Sequence, residues 1–364
     1  MPRFRSDIAA LHPYQVGRQL DDVARAHGLD PRDIVKLTAN EGPDGPFPGV
    51  AEAIAAVVPR SNRYPDADCW DLGHQLGAEL GVGFSNILFG AGSVSLLAEI
   101  GIATGGEGTK MVYGWPGFIM YRFVAAWAGS KRVEVPLTGE HSLDLDAMRL
   151  AVDGSTSVVI ICNPNNPTGT IKPADDIDVF IESVPDDVLV VVDEAYHEFV
   201  IDRRYRSAIP MALERPNVLV LRTFSKIYGL AGLRIGYAVG RPETLIELRK
   251  AQPPLTVSQV AQAAARASLG QPEELARRRS ENAARRHHLM GAIAERGLQT
   301  IESHTNFIYF HLGEPADRIV ADMTPEGVLI RGMSRGWARV TIGTERENRR
   351  FLEALDSAML GARL

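Results

Sequence analysis

The sequence predicts an α/β protein in which a mostly parallel central sheet is flanked by helices and accompanied by a smaller α+β domain. Three observations predict it. Runs apolar at every position recur at residues 87–89, 158–162, 188–192 and 218–221, and such runs read as strands buried on both faces, as in parallel sheets covered by helices. Helical patterns lie between them, as at 94–103 and 175–183, so strand and helix alternate in the βαβ manner. After residue 270 the order changes, and short strands gather between helices.

In chain order, the alternation spans residues 40–270 and marks out a large domain. A charged amphipathic helix over 273–296 comes next, closed by Gly297. Strands are expected at 307–310, 328–331 and 338–342, and the last helix opens with the capping box Thr344-x-x-Glu347. These later elements need a complement, and the segment before residue 40 is the candidate. The small domain is therefore expected to be discontinuous, built from residues 1–39 and 271–364.

Composition narrows the class of function. A chain of 364 residues exceeds the roughly 150 residues of a usual domain and suits about two. Hydrophobic content of 45%, charged content of 23% and aromatic content of 7% are those of an average folded protein. Lys and Arg number 39 against 45 Asp and Glu, a net charge of −6, which argues against nucleic acid or anionic lipid as a partner. Cys69 and Cys162 lack metal-ligand spacing and are too few for a disulfide framework. The polar start Met1-Pro2-Arg3-Phe4-Arg5-Ser6-Asp7 has no apolar signal core, and no stretch approaches the ~18 apolar residues of a membrane span. A cytoplasmic protein is expected. The less ordinary counts are 34 Gly and 22 Pro.

In open α/β sheets ligands bind beyond the carboxyl ends of the strands, so the residues just past each apolar run matter most. After 87–89 comes Gly90-Ala91-Gly92-Ser93, small residues entering a helix, whose free amides suit a phosphate; a tight turn with a Ser cap explains them equally. No GxGxxG dinucleotide fingerprint is present. The second run ends in Asn163-Pro164-Asn165-Asn166-Pro167-Thr168-Gly169, a rigid loop offering amide groups. The third delivers Asp193-Glu194-Ala195-Tyr196; a carboxylate directly after a buried strand is costly unless it meets a cation or strong donor, a helix cap being the plainer alternative. The fourth leads to Ser225-Lys226 and then Arg234. A lysine there is poised to lose its charge through desolvation, as an amine nucleophile requires, an exposed loop lysine being the plainer reading of that residue taken alone. Phosphate donors, a buried carboxylate and an amine nucleophile at successive strand ends are what pyridoxal 5′-phosphate requires of a protein.

With these motifs in this order, and with Pro13-Tyr14, Leu37-Thr38-Ala39-Asn40-Glu41, Asn62-Arg63-Tyr64-Pro65 and Arg339-Val340-Thr341-Ile342-Gly343-Thr344, nearly the whole chain resembles the pyridoxal-phosphate-dependent aminotransferases of fold type I. Within them it resembles the histidinol-phosphate aminotransferase family. By that resemblance Lys226 would bond covalently to the cofactor aldehyde and later shuttle the proton between cofactor and substrate. Asp193 would pair with the pyridinium nitrogen. Tyr196 and Asn166 would hydrogen-bond the ring 3-hydroxyl, and Phe118 would stack on the ring, where the family more often has Tyr. The phosphate would sit on Ala91, Gly92, Ser93, Ser225 and Arg234, with Tyr64 reaching it from the neighbouring subunit of a homodimer. Arg339 and Arg331 would clamp the anionic end of an amino donor or 2-oxo acid, in a substrate site that also includes Tyr14 and Asn40. L-Histidinol phosphate and 2-oxoglutarate would be the substrates.

The sequence departs from the family pattern in ways that resemble its actinobacterial aromatic aminotransferase branch. Val94-Ser95 stands for the frequent Asp-Glu, Gly42 for Asn, and Gly332-Met333 for Pro-Tyr, while the link from Arg331 to Arg339 is short. Phenylalanine or tyrosine is thus the alternative substrate. Elsewhere, the arginine clusters 277–279 and 285–286 and His287-His288 read as a solvated helix face. His197, Trp70 and Trp127 read as packed core.

Overall fold

The computed structural model describes residues 3–14, 19–313 and 316–362. A short strand, Val35–Lys36 (β1), precedes seven strands that form the central sheet: Ile87–Gly90 (β2), Lys110–Trp115 (β3), Lys131–Pro136 (β4), Thr156–Cys162 (β5), Leu189–Asp193 (β6), Val218–Thr223 (β7) and Gly236–Val239 (β8). Their order is β2-β8-β7-β6-β5-β3-β4. Every pair is parallel except those of β8, which runs antiparallel to both β2 and β7. Five further strands complete the list: Gln299–Thr300 (β9), Phe307–His311 (β10), Val328–Leu329 (β11), Arg331–Gly332 (β12) and Trp337–Thr341 (β13).

The all-apolar runs are strands for the expected reason. Side chains alternate across a strand, so Val159, Ile161, Val190, Val192, Val218 and Val220 enter one core, while Val158, Ile160, Leu189, Val191, Leu219 and Leu221 enter a second on the opposite face. Strands β3, β4 and β8 escape the all-apolar criterion because charged or glycine residues interrupt them. A third core joins Val35 and Leu37 to Ile308, Phe310, Val328, Val340 and Phe351. β1 pairs in parallel with β11, which ties the N-terminal segment to the C-terminal strands. The strand expected over 328–331 is interrupted at Ile330, because β11 pairs with β1 and β12 turns to pair with β13. The capping box forms, Glu347 Oε2 accepting the Thr344 amide at 2.7 Å.

Two expectations are corrected. Trp70 is 55% exposed; it opens the helix Trp70–Leu80 on an outer face, where the rings of His74 and Phe84 pack against it. The arginines of the helix Pro272–Glu295 divide by face rather than forming one solvated row. Arg277 and Arg285 pair with Glu281 near the surface, whereas Arg278 and Arg286 are buried. Arg278 donates to the carbonyls of Gly45 and Ile227, and Arg286 to that of Thr305, because a buried guanidinium must find acceptors for its donors. His287 and His288 are exposed, and Trp127 and His197 are half-buried. Among the described residues no helix is long and apolar enough to cross a membrane, and no group of three or more His, Cys, Asp or Glu could hold a metal.

Candidate active site

The sheet register brings the motifs together. Cys162 pairs with Asp193, and Asp193 with Leu221, so the segments after β5, β6 and β7 leave the sheet side by side. The amide of Asn163 donates to Asp193 O at 3.0 Å and that of Glu194 to Leu221 O at 2.9 Å.

Asp193 is buried, and loss of solvent pushes its carboxyl pKa up. Two donors oppose that shift: Tyr121 Oη donates to Oδ2 at 2.8 Å and the Ala195 amide to Oδ1 at 3.2 Å. Lys226 is shifted the other way, from 10.5 to about 8, by loss of solvent first and the charge of Arg339 next. Its Nζ donates to the carbonyls of Asn40 at 3.3 Å and Ala39 at 3.5 Å and lies 5.5 Å from the Tyr196 ring centre. An amine with a pKa near 8 is half neutral at mildly alkaline pH and holds a far larger neutral fraction at neutral pH than an ordinary lysine, which a nucleophile and proton carrier needs.

The turn after β2 forms a cup. Gly92 has φ +81°, a conformation glycine adopts without strain. It precedes the helix Ser93–Thr104, and no side chain caps that helix. Ser93 is thus the first helical residue rather than a cap; the Ser95 amide turns back to Gly92 O at 3.2 Å, and the amides that precede it at the helix start are those suited to a ligand. Arg234 lies across the cup, its Nη1 3.4 Å from Ser225 Oγ and its Nη2 3.4 Å from Ala91 O. A Cβ on Gly92 would collide with the Arg234 guanidinium, and one on Gly236 would lie 2.7 Å from the Ser93 nitrogen. Glycine at these two positions is what lets the Arg234 guanidinium and the Ser93 backbone approach so closely.

Opposite the cup, Tyr196 Oη accepts from Asn40 Nδ2 at 2.8 Å and Asn166 Nδ2 at 3.3 Å. Asn40 holds a left-handed φ of +55°, which Asn tolerates better than most residues. Its amide donates to Thr341 Oγ1 at 2.9 Å, and its carbonyl accepts from Asn306 Nδ2 at 3.0 Å. Arg339 donates to Asn166 Oδ1 at 2.6 Å and Thr38 O at 2.7 Å, leaving Nε buried with no partner. Arg331 lies directly opposite it on β12. Burial first, and Arg331 among the charges, lower the Arg339 pKa.

The structure thus gathers Lys226, Asp193, Tyr196, Asn166, Asn40 and Arg339, and separately Ala91, Gly92, Ser93, Ser225 and Arg234. Phe118 is half-buried, edge-on to Tyr121 with centroids 5.6 Å apart. Tyr14 is 45% exposed and packs edge-on to Phe123. Tyr64 is 87% exposed, and no hydrogen bond or ring contact ties it to this chain's own site. Sequence reasoning missed Tyr121, although it stands one helical turn after Phe118, and Asn306, whose amide only the fold brings to Asn40.

This arrangement has known counterparts. Residues 32–355 match the model of aminotransferase class I and II. The chain belongs to that family. It is 39% identical over 355 residues to the aromatic amino acid aminotransferase of Streptomyces avermitilis, covering 98% of this chain and 97% of that one. It is 38% identical to the histidinol-phosphate aminotransferase of Brevibacillus brevis, with 96% of each covered. The crystal structure of histidinol-phosphate aminotransferase from Sinorhizobium meliloti in complex with pyridoxal 5′-phosphate superposes with a TM-score of 0.91 at 30% identity, covering 100% of this chain and 99% of that one. The fold is therefore fold type I, and the enzyme is a pyridoxal-phosphate-dependent aminotransferase. Its residues fit the group: a glycine turn at a helix start with the Arg234 guanidinium against it, a buried carboxylate held by two donors, and an amine of depressed pKa.

The amine and the carboxylate can each be tested. In the cofactor-free protein, amine-directed labelling of Lys226, read by peptide mass spectrometry against pH, should rise with a midpoint about 8; a midpoint at the ordinary lysine value would contradict the desolvated amine. Tyr121→Phe leaves a buried acceptor unpartnered, which costs about 1–3 kcal/mol. Because the lost bond favours the ionised carboxylate, the urea-measured deficit should grow as pH rises through the Asp193 titration, and a pH-independent deficit would argue against the bond.

Proposed function

We propose that this aminotransferase moves an amino group between L-histidinol phosphate and 2-oxoglutarate in two successive half-reactions on one site. The observation that carries this reading is the Arg331–Arg339 pair. Like charges directly opposite on neighbouring strands repel, and Arg339 retains an unpartnered Nε. A phosphate monoester, with about −1.5 to −2 charges near neutral pH, relieves both defects better than the single charge of a carboxylate, and guanidiniums bind it through paired, charge-assisted bonds.

In this reading Ala91, Gly92 and Ser93, with Ser225 and Arg234, would hold the cofactor phosphate. Asp193 would hold the pyridine nitrogen, Tyr196 and Asn166 the ring hydroxyl, and Phe118 the ring face. Pyridoxal phosphate, when bound, would supply the electron sink for charge developing at the substrate α-carbon. Lys226 would hold the cofactor covalently and, as a neutral amine, would move the α-proton. Tyr14, Asn40, Arg331 and Arg339 orient the substrate. The working unit is a homodimer, in which Tyr64, 87% exposed on its own chain, serves the phosphate of a second copy.

A second reading, transamination of phenylalanine or tyrosine, is favoured by the aromatic amino acid aminotransferases of Streptomyces avermitilis and of Rhodococcus jostii, the latter 40% identical over 351 residues. Steady-state kinetics with both donor types separates the two. Arg331→Ala should lower kcat/KM for histidinol phosphate by roughly tenfold to a hundredfold and change aromatic donors little, while Lys226→Ala should abolish the cofactor's visible band and nearly all turnover. A wild-type kcat/KM clearly higher for aromatic donors would establish the second reading. For the shared site, mixed dimers of Tyr64→Phe and Lys226→Ala chains should regain one site of wild-type cofactor affinity, and no recovery would place Tyr64 outside the site.

A further inference from the structure

Behind the proposed cofactor residues lies an ion pair with no part in the chemistry above. Glu194 is 1% exposed and Arg222 5%. Glu194 Oε2 accepts from Arg222 Nε at 2.9 Å and Nη2 at 2.8 Å, and from Ser207 Oγ at 2.8 Å, while Oε1 accepts the Ala208 amide at 2.7 Å. Burial works against the charge on Arg222, but Glu194 outweighs it and the guanidinium pKa rises.

The position of this pair gives it a consequence. Glu194 directly succeeds Asp193, and Arg222 stands four residues before Lys226. The β6–β7 ladder ends at Asp193 and Leu221, with one further bond from the Glu194 amide to Leu221 O at 2.9 Å. Beyond that point the two chains diverge toward the site. Asp193 ends β6 and accepts from Tyr121, whereas Glu194, just past the strand, accepts from Arg222, so the two carboxylates meet different partners. A clasp on one then sets how the other is presented. Stability alone does not call for it, since a buried ion pair is often no more stabilising than an apolar pair of the same volume. What a guanidinium gripping one carboxylate through two N–H groups adds is a defined angle.

We infer that Glu194 and Arg222 are positioning residues whose clasp sets the relation of Asp193 to Lys226, and with it the affinity for pyridoxal phosphate and the pH response of the bound cofactor. This rests on the proposed roles of Asp193 and Lys226. Other charges reach both ends. Arg339, Glu41, Arg234 and Asp193 act on Lys226, and buried Glu198, its pKa pushed up to about 7 by loss of solvent, lies near Arg222, as does His197.

The test uses Glu194→Gln/Arg222→Met, which removes both charges of the pair and leaves buried Glu198, already pushed toward its neutral form, to take up a proton, and Arg222→Lys, which keeps the charge and loses the fork. Three quantities are read: the urea midpoint, the dissociation constant for pyridoxal phosphate, and the pH midpoint of the bound cofactor's visible band. The double variant should unfold near the wild-type urea midpoint yet bind the cofactor roughly tenfold or more weakly, as small misplacements at a site do. Its band midpoint should move by about half a unit or more, and Arg222→Lys should behave alike. A folded double variant with unchanged affinity and unchanged midpoint would overturn the clasp. Should the wild-type band fail to depend on Lys226, judged by Lys226→Ala, the cofactor assignment falls and the clasp with it; a Lys226-dependent band with an unmoved double variant sinks the clasp alone.

Discussion

The register of β5, β6 and β7 is the constraint on which the rest of the site depends. With Cys162 beside Asp193 and Asp193 beside Leu221, three loops rich in polar groups emerge from the sheet together. A slip of one residue would send Asp193 to the opposite face. The register is itself held by two cores that claim alternate residues of the same strands, so the apolar side chains that stabilise the sheet also decide where its carboxylate points.

Around that line, shifts in proton affinity run in opposite senses. Loss of solvent raises the carboxyl pKa of Asp193 and lowers the amine pKa of Lys226, and both move the groups toward their neutral forms. Donors from Tyr121 and Ala195 hold Asp193 toward its ionised form, while Arg339 holds Lys226 toward its neutral one. The two groups thus share one desolvated environment, with hydrogen-bond donors opposing its effect on the carboxylate and a neighbouring cation adding to its effect on the amine. The small sheet joins in through Asn40, whose amide, side chain and carbonyl reach Thr341, Tyr196 and Asn306 respectively.

Much of this could be read along the chain. Apolar runs and the polar segments after them marked β5, β6 and β7 and most of the site, because a strand buried on both faces and a rigid Asn-Pro loop leave strong local signatures. Strands β3, β4 and β8 left weaker ones, since Lys110, Lys131, Arg132, Glu134 and Gly236 break their apolar pattern. Trp70 misled for a related reason: a helical pattern says that a residue faces one side, and not what covers that side.

The sequence by itself determined the alternation of strand and helix, the order of the chemical groups and the resemblance to an aminotransferase family, all of which rest on local pattern. Tertiary structure alone decided that Tyr121 donates to Asp193, that Asn40 joins Thr341 of β13 to Tyr196 beyond β6, that Arg331 faces Arg339, and that Glu194 grips Arg222. These contacts join residues 8 to 301 positions apart, and no local propensity encodes them. They arise from strand register and the packing of side chains across it.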